Sequence, residues 1–554
     1  MAKIMKTIFI GALLVCPVLA WGQWTSDGEI IRDEVGPIFD EIIVQDRTEG
    51  TFVFWTDYRN GMLSIYGQKV DTAGNQLWQS QGEFIGYTTI YFPNATVAVP
   101  DGEGGAIIAW PNYTESHTGI YAQRISGYGE LLWSDTGLAV ADWYGGQSQV
   151  AICSDSAGGA VLCWSGDSTG ARRMIAQRLD GQGNKLWGEY GVKLSPSVNA
   201  DQRIPKITTA VDSSIYCAWN DERTGDPGSG LYTQKLDLNG SILWGDSARA
   251  LAAPLVGTIG TYAITPDTNW GFYCIWNDGR PQGADLRIYL QHINSEGLIL
   301  RPWCRDGLEI SYDIYSIEPF ITIADDYRAI VSWQSDLANI AYCNIVDIWG
   351  EKQWPNGYVV ANNIVQNKGL TKSAQNQFEV CIRGHNTQKM VYKLDEQGNF
   401  IFGNDGVLFG IPLEGAYHIY TVPDGFGGVV ILTKEYNYGP LRLHKVYYNG
   451  HVGGVTGIND RPTMPEAFTL QTYPNPFNNG LNLKLALQSE QDVNLEVFDI
   501  LGRKIKEVMV GRIKPGRTVL HYDSATLGLT TSGQYFLVLR MGFDMAVTKI
   551  AYLK

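Results

Sequence analysis

The chain has 554 residues, 44% hydrophobic and 18% charged, with 63 Gly, 22 Pro, 17 Trp, 30 Tyr and 18 Phe. This long, turn-rich, β-favouring composition excludes disorder over most of its length, and such a chain needs no staples to hold a core. A formal net charge of −15 excludes extended contact with a phosphate backbone, because that affinity comes from neutralising phosphates. It weighs equally against an anionic membrane surface, so no nucleic-acid partner is expected.

Lys3 and Lys6 precede an apolar run from Thr7 to Ala20, with Gly22 just beyond. The run is shorter than the roughly 20 residues of a spanning helix, so residues 1–22 read as a secretory signal peptide, cleaved before Trp21 or Gln23. Cys16 does not fit a lipidation site, since Val15 stands where a small residue is required. No later stretch is apolar enough to cross a bilayer, and no transmembrane segment is expected. Removing the signal leaves seven cysteines, an odd number for an oxidising compartment and not a disulfide framework. Cys217, Cys274 and Cys381 fall where Val53, Ile108, Leu162 and Val331 stand in neighbouring repeats, and read as small buried hydrophobes. Cys153 and Cys163 lie on successive predicted strands and are the one pair considered for a bridge.

An apolar strand ending in Trp recurs at Trp55, Trp110, Trp164, Trp219, Trp276 and Trp333, spaced 55, 54, 55, 57 and 57 residues apart, with weaker copies near Arg383 and Thr433. A second anchor, Gly followed by Leu-Trp, recurs at Gly74 to Trp78, Gly129 to Trp133, Gly183 to Trp187 and Gly240 to Trp244, with degenerate forms at Gly297, Gly350 and Gly398. Between them run alternating strands such as Tyr121 to Ile125, Ile175 to Leu179 and Tyr232 to Leu236. Asp101-Gly102, Gly158-Gly159 and Asp424-Gly425 supply one set of turns, Asp71 to Gly74 and Asp180 to Gly183 another. No segment shows a helical period. A four-stranded unit of about 54 residues, repeated many times, predicts an all-β, eight-bladed β-propeller over residues 23–457, or a seven-bladed one if a weak late unit is not a blade.

The ends carry a closure signal. The last unit stops after Gly450 without its Leu-Trp strand, and Trp24 to Ile31 matches Trp78 to Ile85, the missing piece. The N-terminus is therefore expected to complete the last blade and leave no sheet edge open. In its Tyr/Ile-x-Gln-Arg and Gly-x-x-Leu-Trp pattern the repeat resembles tandem-repeat, propeller-like proteins secreted by environmental bacteria. It lacks the WD-repeat dipeptide and the Ser-x-Asp-x-Gly-x-Thr-Trp box of sialidase-like propellers.

After Gly457 the period stops, and residues 458–470, with Pro462 and Pro465, read as a linker. Residues 471–554 read as a small antiparallel β-sandwich with strands at Leu481 to Leu485, Val493 to Asp499 and Gly533 to Leu539 and a final run to Lys554. Tyr473, Pro474, Asn475, Pro476, Phe477 and Asn478, then Val497 to Gly502 and Arg503, then Gly533 and Tyr535 and a terminal Lys554, closely resemble the type A C-terminal sorting domain of type IX secretion, found in Bacteroidetes and related phyla. The resemblance implies export across both membranes, the secretion machinery as partner, removal of the module, and release or attachment to surface lipopolysaccharide.

Trp-x-Asp-x-Arg occurs at Trp55/Asp57/Arg59, Trp219/Asp221/Arg223 and Trp276/Asp278/Arg280; its recurrence points to a turn held by a local ion pair rather than to chemistry. Gly166 to Gly170 matches Gly-x-Ser-x-Gly, but no helix follows to make the nucleophile elbow around Ser168. The seven His show no ligand spacing, and neither a metal nor a cofactor is expected. The loops after the Trp strands and those joining blades share a face and are rich in aromatics: Trp143, Tyr144, Tyr58, Tyr113, Tyr87, Tyr91, Tyr312 and Tyr315, with Tyr436 and Tyr438. These suit stacking on sugar rings or gripping a protein chain. The expectation is a monomeric, secreted or surface-displayed propeller that binds an extracellular glycan or protein. The alternatives are a polysaccharide hydrolase or lyase using loop carboxylates, and a structural surface component.

Overall fold

The computed structural model describes residues 24–453 apart from 34–35, 47–49, 90–94, 114–116, 144, 168–170, 197, 224–229, 253–258, 268–270, 280–285, 300–302, 305, 375–376, 385–387, 411–415 and 436–438, and residues 468–554 apart from 474–476, 479, 488–490, 500–503, 514–515 and 542–543. Among these residues the regular elements are all strands. The chain divides into two compact units, Met1–Gly454 and Val455–Lys554.

The first unit holds eight four-stranded antiparallel sheets. Numbered along the chain, sheets 1 to 8 begin with Ile38–Asp46, Val97–Pro100, Gln147–Ser154, Gln202–Thr209, Ile259–Pro266, Ser316–Ile323, Ile364–Ala374 and Ala416–Pro423. In sheets 1 to 7 each strand pairs with the next in sequence. Sheet 8 has three such strands, and its fourth is Glu29–Arg32 from the N-terminus, antiparallel to Leu441–Val446 with Glu29 opposite Leu443. The first strand of every sheet lies against those of both neighbours, sheet 8 against sheet 1 included, so the sheets circle one axis as a β-propeller.

Three recurring devices explain why this repeat folds so. First, the strand-ending Trp55, Trp110, Trp164, Trp219, Trp276 and Trp333 are fully buried between sheets, where each large apolar ring removed from water contributes about 2–3 kcal/mol. Second, a buried Gln in the third strand ties down the Leu-Trp segment. The carbonyl of Gln68 accepts the Trp78 amide at 3.0 Å while its side-chain amide donates to Gln79 O at 3.0 Å. Gln177 and Gln234 repeat this with Trp187 and Trp244. Third, the indole of each Leu-Trp latches onto the turn of the next sheet: Trp78 Nε1 donates to Gly127 O, Trp133 to Gly181 O and Trp187 to Leu238 O, each at 3.0 Å. Trp24 makes the same bond across the closing seam, to Thr72 O at 3.0 Å.

The turns are built by carboxylates. In the first hairpins Oδ1 of Asp101, Asp155 and Asp424 accepts the amides of the residues two and four further on, and Asp71, Asp180, Asp237, Asp347 and Asp395 do so in the third hairpins. The side chain replaces backbone partners that a five-residue turn leaves unpaired.

The register settles the open question of Cys153 and Cys163 and corrects the position of Cys381. Cys153 and Cys163 are both free; Cys153 faces Val161 and Cys163 faces Ala151, so the register offsets them by two residues. Cys217 and Cys274 do occupy the inward position opposite a third-strand Gln. Cys381 stands one residue off it, opposite Val391, because the weak seventh repeat places Val380 there; it is buried all the same.

The second unit is a sandwich of a three-stranded and a four-stranded sheet. Leu481 and Leu483 from one sheet meet Val493, Leu495, Val497, Leu537 and Leu539 from the other in a single core. Phe477 lies beside the last strand, its amide bonded to Ala551 O and its carbonyl accepting the Leu553 amide, and its ring is 5.3 Å from Tyr552. The Tyr535 hydroxyl donates to Thr531 O at 2.8 Å, and the Lys554 amide donates to Ser532 Oγ at 2.8 Å.

Candidate ligand-binding face

In an antiparallel sheet entered at the axis, the connection to the next sheet and the hairpin between strands two and three emerge at the same end. That topology places Tyr58 and Tyr113 in or beside such hairpins, and Tyr87, Trp143, Tyr312 and Tyr315 in or beside the connections, on one face. Tyr58, Tyr87, Tyr113, Tyr312 and Tyr315 are exposed, from 38% for Tyr315 to 71% for Tyr312. Trp143 is only half-exposed: its ring packs 6.3 Å from Trp164 and edge-on to Tyr190 at 5.5 Å. Tyr190, exposed and not singled out by the repeat pattern, extends that ledge. Tyr144, Tyr91, Tyr436, Tyr438 and Ser168 lie outside the described residues, as do Pro474, Asn475, Pro476, Gly502 and Arg503. Of the sorting pattern, Tyr473 ends the strand Phe468–Tyr473, Phe477 is buried, and Asn478, Gly533 and Lys554 are exposed.

The first strands bulge where they reach this face. Register slips between Phe39 and Ile42, Ser148 and Ala151, Arg203 and Lys206, and Ile317 and Phe320. Within these bulges Asp40, Gln149 and Ile204 have φ of 55° and Glu318 of 51°, a left-handed conformation costing about 1–3 kcal/mol each. The bulge turns side chains away from the regular pleat and toward neighbouring sheets. Asp40 accepts the amides of Ala95 (2.9 Å) and Thr96 (2.5 Å) in the approach to sheet 2. Glu41 points the other way, to His418 Nδ1 at 2.8 Å and Lys434 Nζ at 2.5 Å in sheet 8.

These carboxylates titrate in opposite directions. Burial pushes Asp40 up to about 6, against its two backbone hydrogen bonds. Burial also works on Glu41, but His418 and Lys434 outweigh it and hold its carboxyl below the usual range. For Asp40 the folded value lies above the unfolded one, so its contribution is full below pH ~4 and lost as pH rises through about 6. Asp40→Asn is therefore expected to flatten the stability profile between pH 4 and 8 and to gain on the order of 2–3 kcal/mol relative to wild type at pH 8. Urea midpoints across that range check it; an unchanged slope would show that Asp40 does not titrate there.

Further along the first strands, Lys206 and Lys368 have amines held below the usual lysine range by burial. Glu318 is raised by burial, and its Oε2 is buried without a hydrogen-bond partner. Sequence reasoning passed over Glu41 and His418, which are 377 residues apart and meet only because the ring closes.

The Trp-x-Asp-x-Arg residues form closed local sites. Asp57 accepts the Trp55 indole at 3.0 Å and the Arg59 guanidinium at 2.7 Å, and Asp221 repeats both with Trp219 and Arg223. Arg59 and Arg223 lie flat over Tyr66 and Tyr232, 3.8 and 3.7 Å from the ring centroids. Arg280 lies outside the described residues. Among the described residues no three His, Cys, Asp or Glu side chains cluster as metal ligands, and no helix is long and apolar enough to cross a membrane.

Residues 471–551 match the secretion system C-terminal sorting domain. The chain thus carries a type IX secretion sorting domain and is exported to the cell surface or the extracellular space. A comparison with curated proteins finds no match. Among solved structures the chain is similar to PorZ, a surface component of the type IX secretion system of Porphyromonas gingivalis, at 12% identity over 93% of this chain and 70% of that one, TM-score 0.34. It is also similar to a puromycin hydrolase, at 15% identity over 74% of this chain, TM-score 0.40, and spans 61% of the length of that enzyme. A third, the polysaccharide lyase Uly1, has 9% identity over 76% of this chain and all of that one, TM-score 0.41. At this level of similarity none of the three assigns a ligand or a chemistry.

Proposed function

We propose that the propeller, eight-bladed and closed by its N-terminal strand after loss of a signal peptide, binds an extracellular glycan or protein on the face bearing the exposed tyrosines. The observation that carries this reading is the contrast in burial: the recurring tryptophans sink between sheets while Tyr58, Tyr87, Tyr113, Tyr312 and Tyr315 stay exposed at one end. Flat, amphipathic rings give contact area at low conformational cost and suit sugar rings or a partner chain. In this reading the sorting module brings the propeller through the secretion machinery to its place of work.

The test is to incubate the full chain with a panel of soluble and insoluble polysaccharides and score retention and release of reducing ends together. Retention without release, weakened five- to tenfold or more by Tyr312→Ala or Tyr113→Ala, is the expected result. If no polysaccharide is retained, the glycan reading falls and the protein-partner reading takes its place. Release of new ends would favour the hydrolase or lyase reading, which one observation supports: Glu41 holds His418 Nδ1, an arrangement that sets the tautomer of a proton-transfer imidazole.

A further inference from the structure

The closing sheet is fastened differently from the others. In sheets 1 to 4 the third-strand Gln binds the following Trp amide and donates to the carbonyl of the residue after it; in sheet 6 the shorter Asn344 binds both the amide and the carbonyl of Trp354. In sheet 8 the equivalent residue, opposite Ile431, is His444. Its Nε2 shares a hydrogen bond with Thr433 Oγ1 at 2.8 Å, while its Nδ1 is buried without a partner. The N-terminal strand rests directly on this ring: a Cβ added at Gly28, whose φ is +84°, would lie 2.5 Å from Nδ1 and Cε1. Gly410 and Phe409 also pack against it.

We propose that the N-terminal strand is an acid-released latch, in which protonation of His444 lifts Glu29–Arg32 from the last sheet and opens the ring at that seam. The charges acting on His444 are those of Lys389 and Arg442, both cationic, so an imidazolium there meets repulsion as well as desolvation. Burial accordingly holds the imidazole down to about 3. Its folded value lies below the unfolded one, so the neutral ring's contribution is full above pH ~6.5 and is lost as pH falls toward 3. Glu41, across the same seam and also held low, adds to the loss below pH ~4.5.

Two neighbouring carboxylates respond oppositely. Asp40, tying sheet 1 to the approach to sheet 2, and Glu379, bonded to Ser373 and Lys393 within sheet 7, are raised to about 6 and about 7 by burial, so neither contributes to a loss on acidification. Other ties hold the strand to sheet 1 rather than sheet 8: Trp24 to Thr72 O, Gln76 to Ile30 O, and Arg32 to Asp57 at 3.1 Å. Opening therefore parts sheet 8 from the strand and leaves the strand on sheet 1.

Hydrogen exchange of the full chain between pH 6 and 5, above the range where Glu41 contributes, corrected for intrinsic rates, tests the latch. Protection of residues 29–32 and 441–446 is expected to fall about tenfold per pH unit, the linkage of one proton. The fourth strand of sheet 1, Glu83–Tyr87, should keep its protection, and His444→Gln should remove the pH dependence. Parallel loss in both fourth strands, or a His444→Gln chain that keeps the pH dependence, overturns the proposal. If His444→Gln does not fold, the comparison of the two strands in wild type decides alone.

Discussion

Replacing Trp24 by Ala is expected to cost about 3–5 kcal/mol, the range for truncating a buried Trp. The ring is 2% exposed within the cluster that joins sheets 8 and 1, beside Val53, Trp55, Val430 and Leu432, and its indole bonds Thr72 O. Trp78→Ala, at the equivalent place in sheet 1, should lose comparable packing. The two should differ in their consequences, because the fourth strand of sheet 1 is joined by chain to the third strand of its own sheet, whereas Glu29–Arg32 is joined by chain to sheet 1 and not to the other strands of sheet 8. Trp24→Ala should therefore also expose the segment before Ile38 to limited proteolysis, and Trp78→Ala should not. A loss under about 1 kcal/mol in the urea midpoint would show that the N-terminal strand does not close the ring.

Asp57→Asn is expected to be nearly as damaging, about 3–5 kcal/mol, the range for removing one partner of a buried ion pair. Asp57 is fully buried and receives Arg32 from the N-terminal strand, Arg59 from its own hairpin and the Trp55 indole. Burial pushes its carboxyl up, but the hydrogen bonds and charge of Arg59 and the Trp55 hydrogen bond outweigh it, and it sits below the usual range. Its contribution is thus full above pH ~4 and lost as pH falls through that depressed value. Asp221→Asn should cost less: Arg223 is 16% exposed, while the Arg32 that Asp57 pairs is 1% exposed. If Asp57→Asn instead left stability intact and abolished ligand retention, the motif would be a binding site, not a clamp.

Much of this architecture was legible because repetition amplifies weak signals. One Trp at the end of an apolar strand says little, but six at nearly constant spacing mark a unit, and the Gln and Leu-Trp recur because each pair makes the same hydrogen bonds. The match of Trp24 to Trp78 predicted the N-terminal strand in sheet 8, as found. Pattern reading failed where the repeat decays: Cys381 was placed one residue out, since the seventh unit has Tyr392 where the first five have Gln. It named Trp143 among the face aromatics but not its half-burial against Trp164, which depends on a neighbouring sheet.

The binding face divides along the same line. Its tyrosines were legible because strand order alone puts connections and second hairpins at one end. Their exposure was not, because an aromatic in a turn has the same sequence signature whether it faces water or packs between sheets.

What the amino-acid sequence determined by itself was local and periodic: strand length, turn chemistry, the inward Trp and Gln, and the sorting module, each set by contacts within about 50 residues or by a compact motif. Only the tertiary structure decided what depends on closure. Glu41 meets His418, and the Gly28 backbone rests on His444, because the ring brings its two ends together. No local preference encodes those pairs; burial then tunes their charges, since desolvation acts on a group only once the whole fold surrounds it.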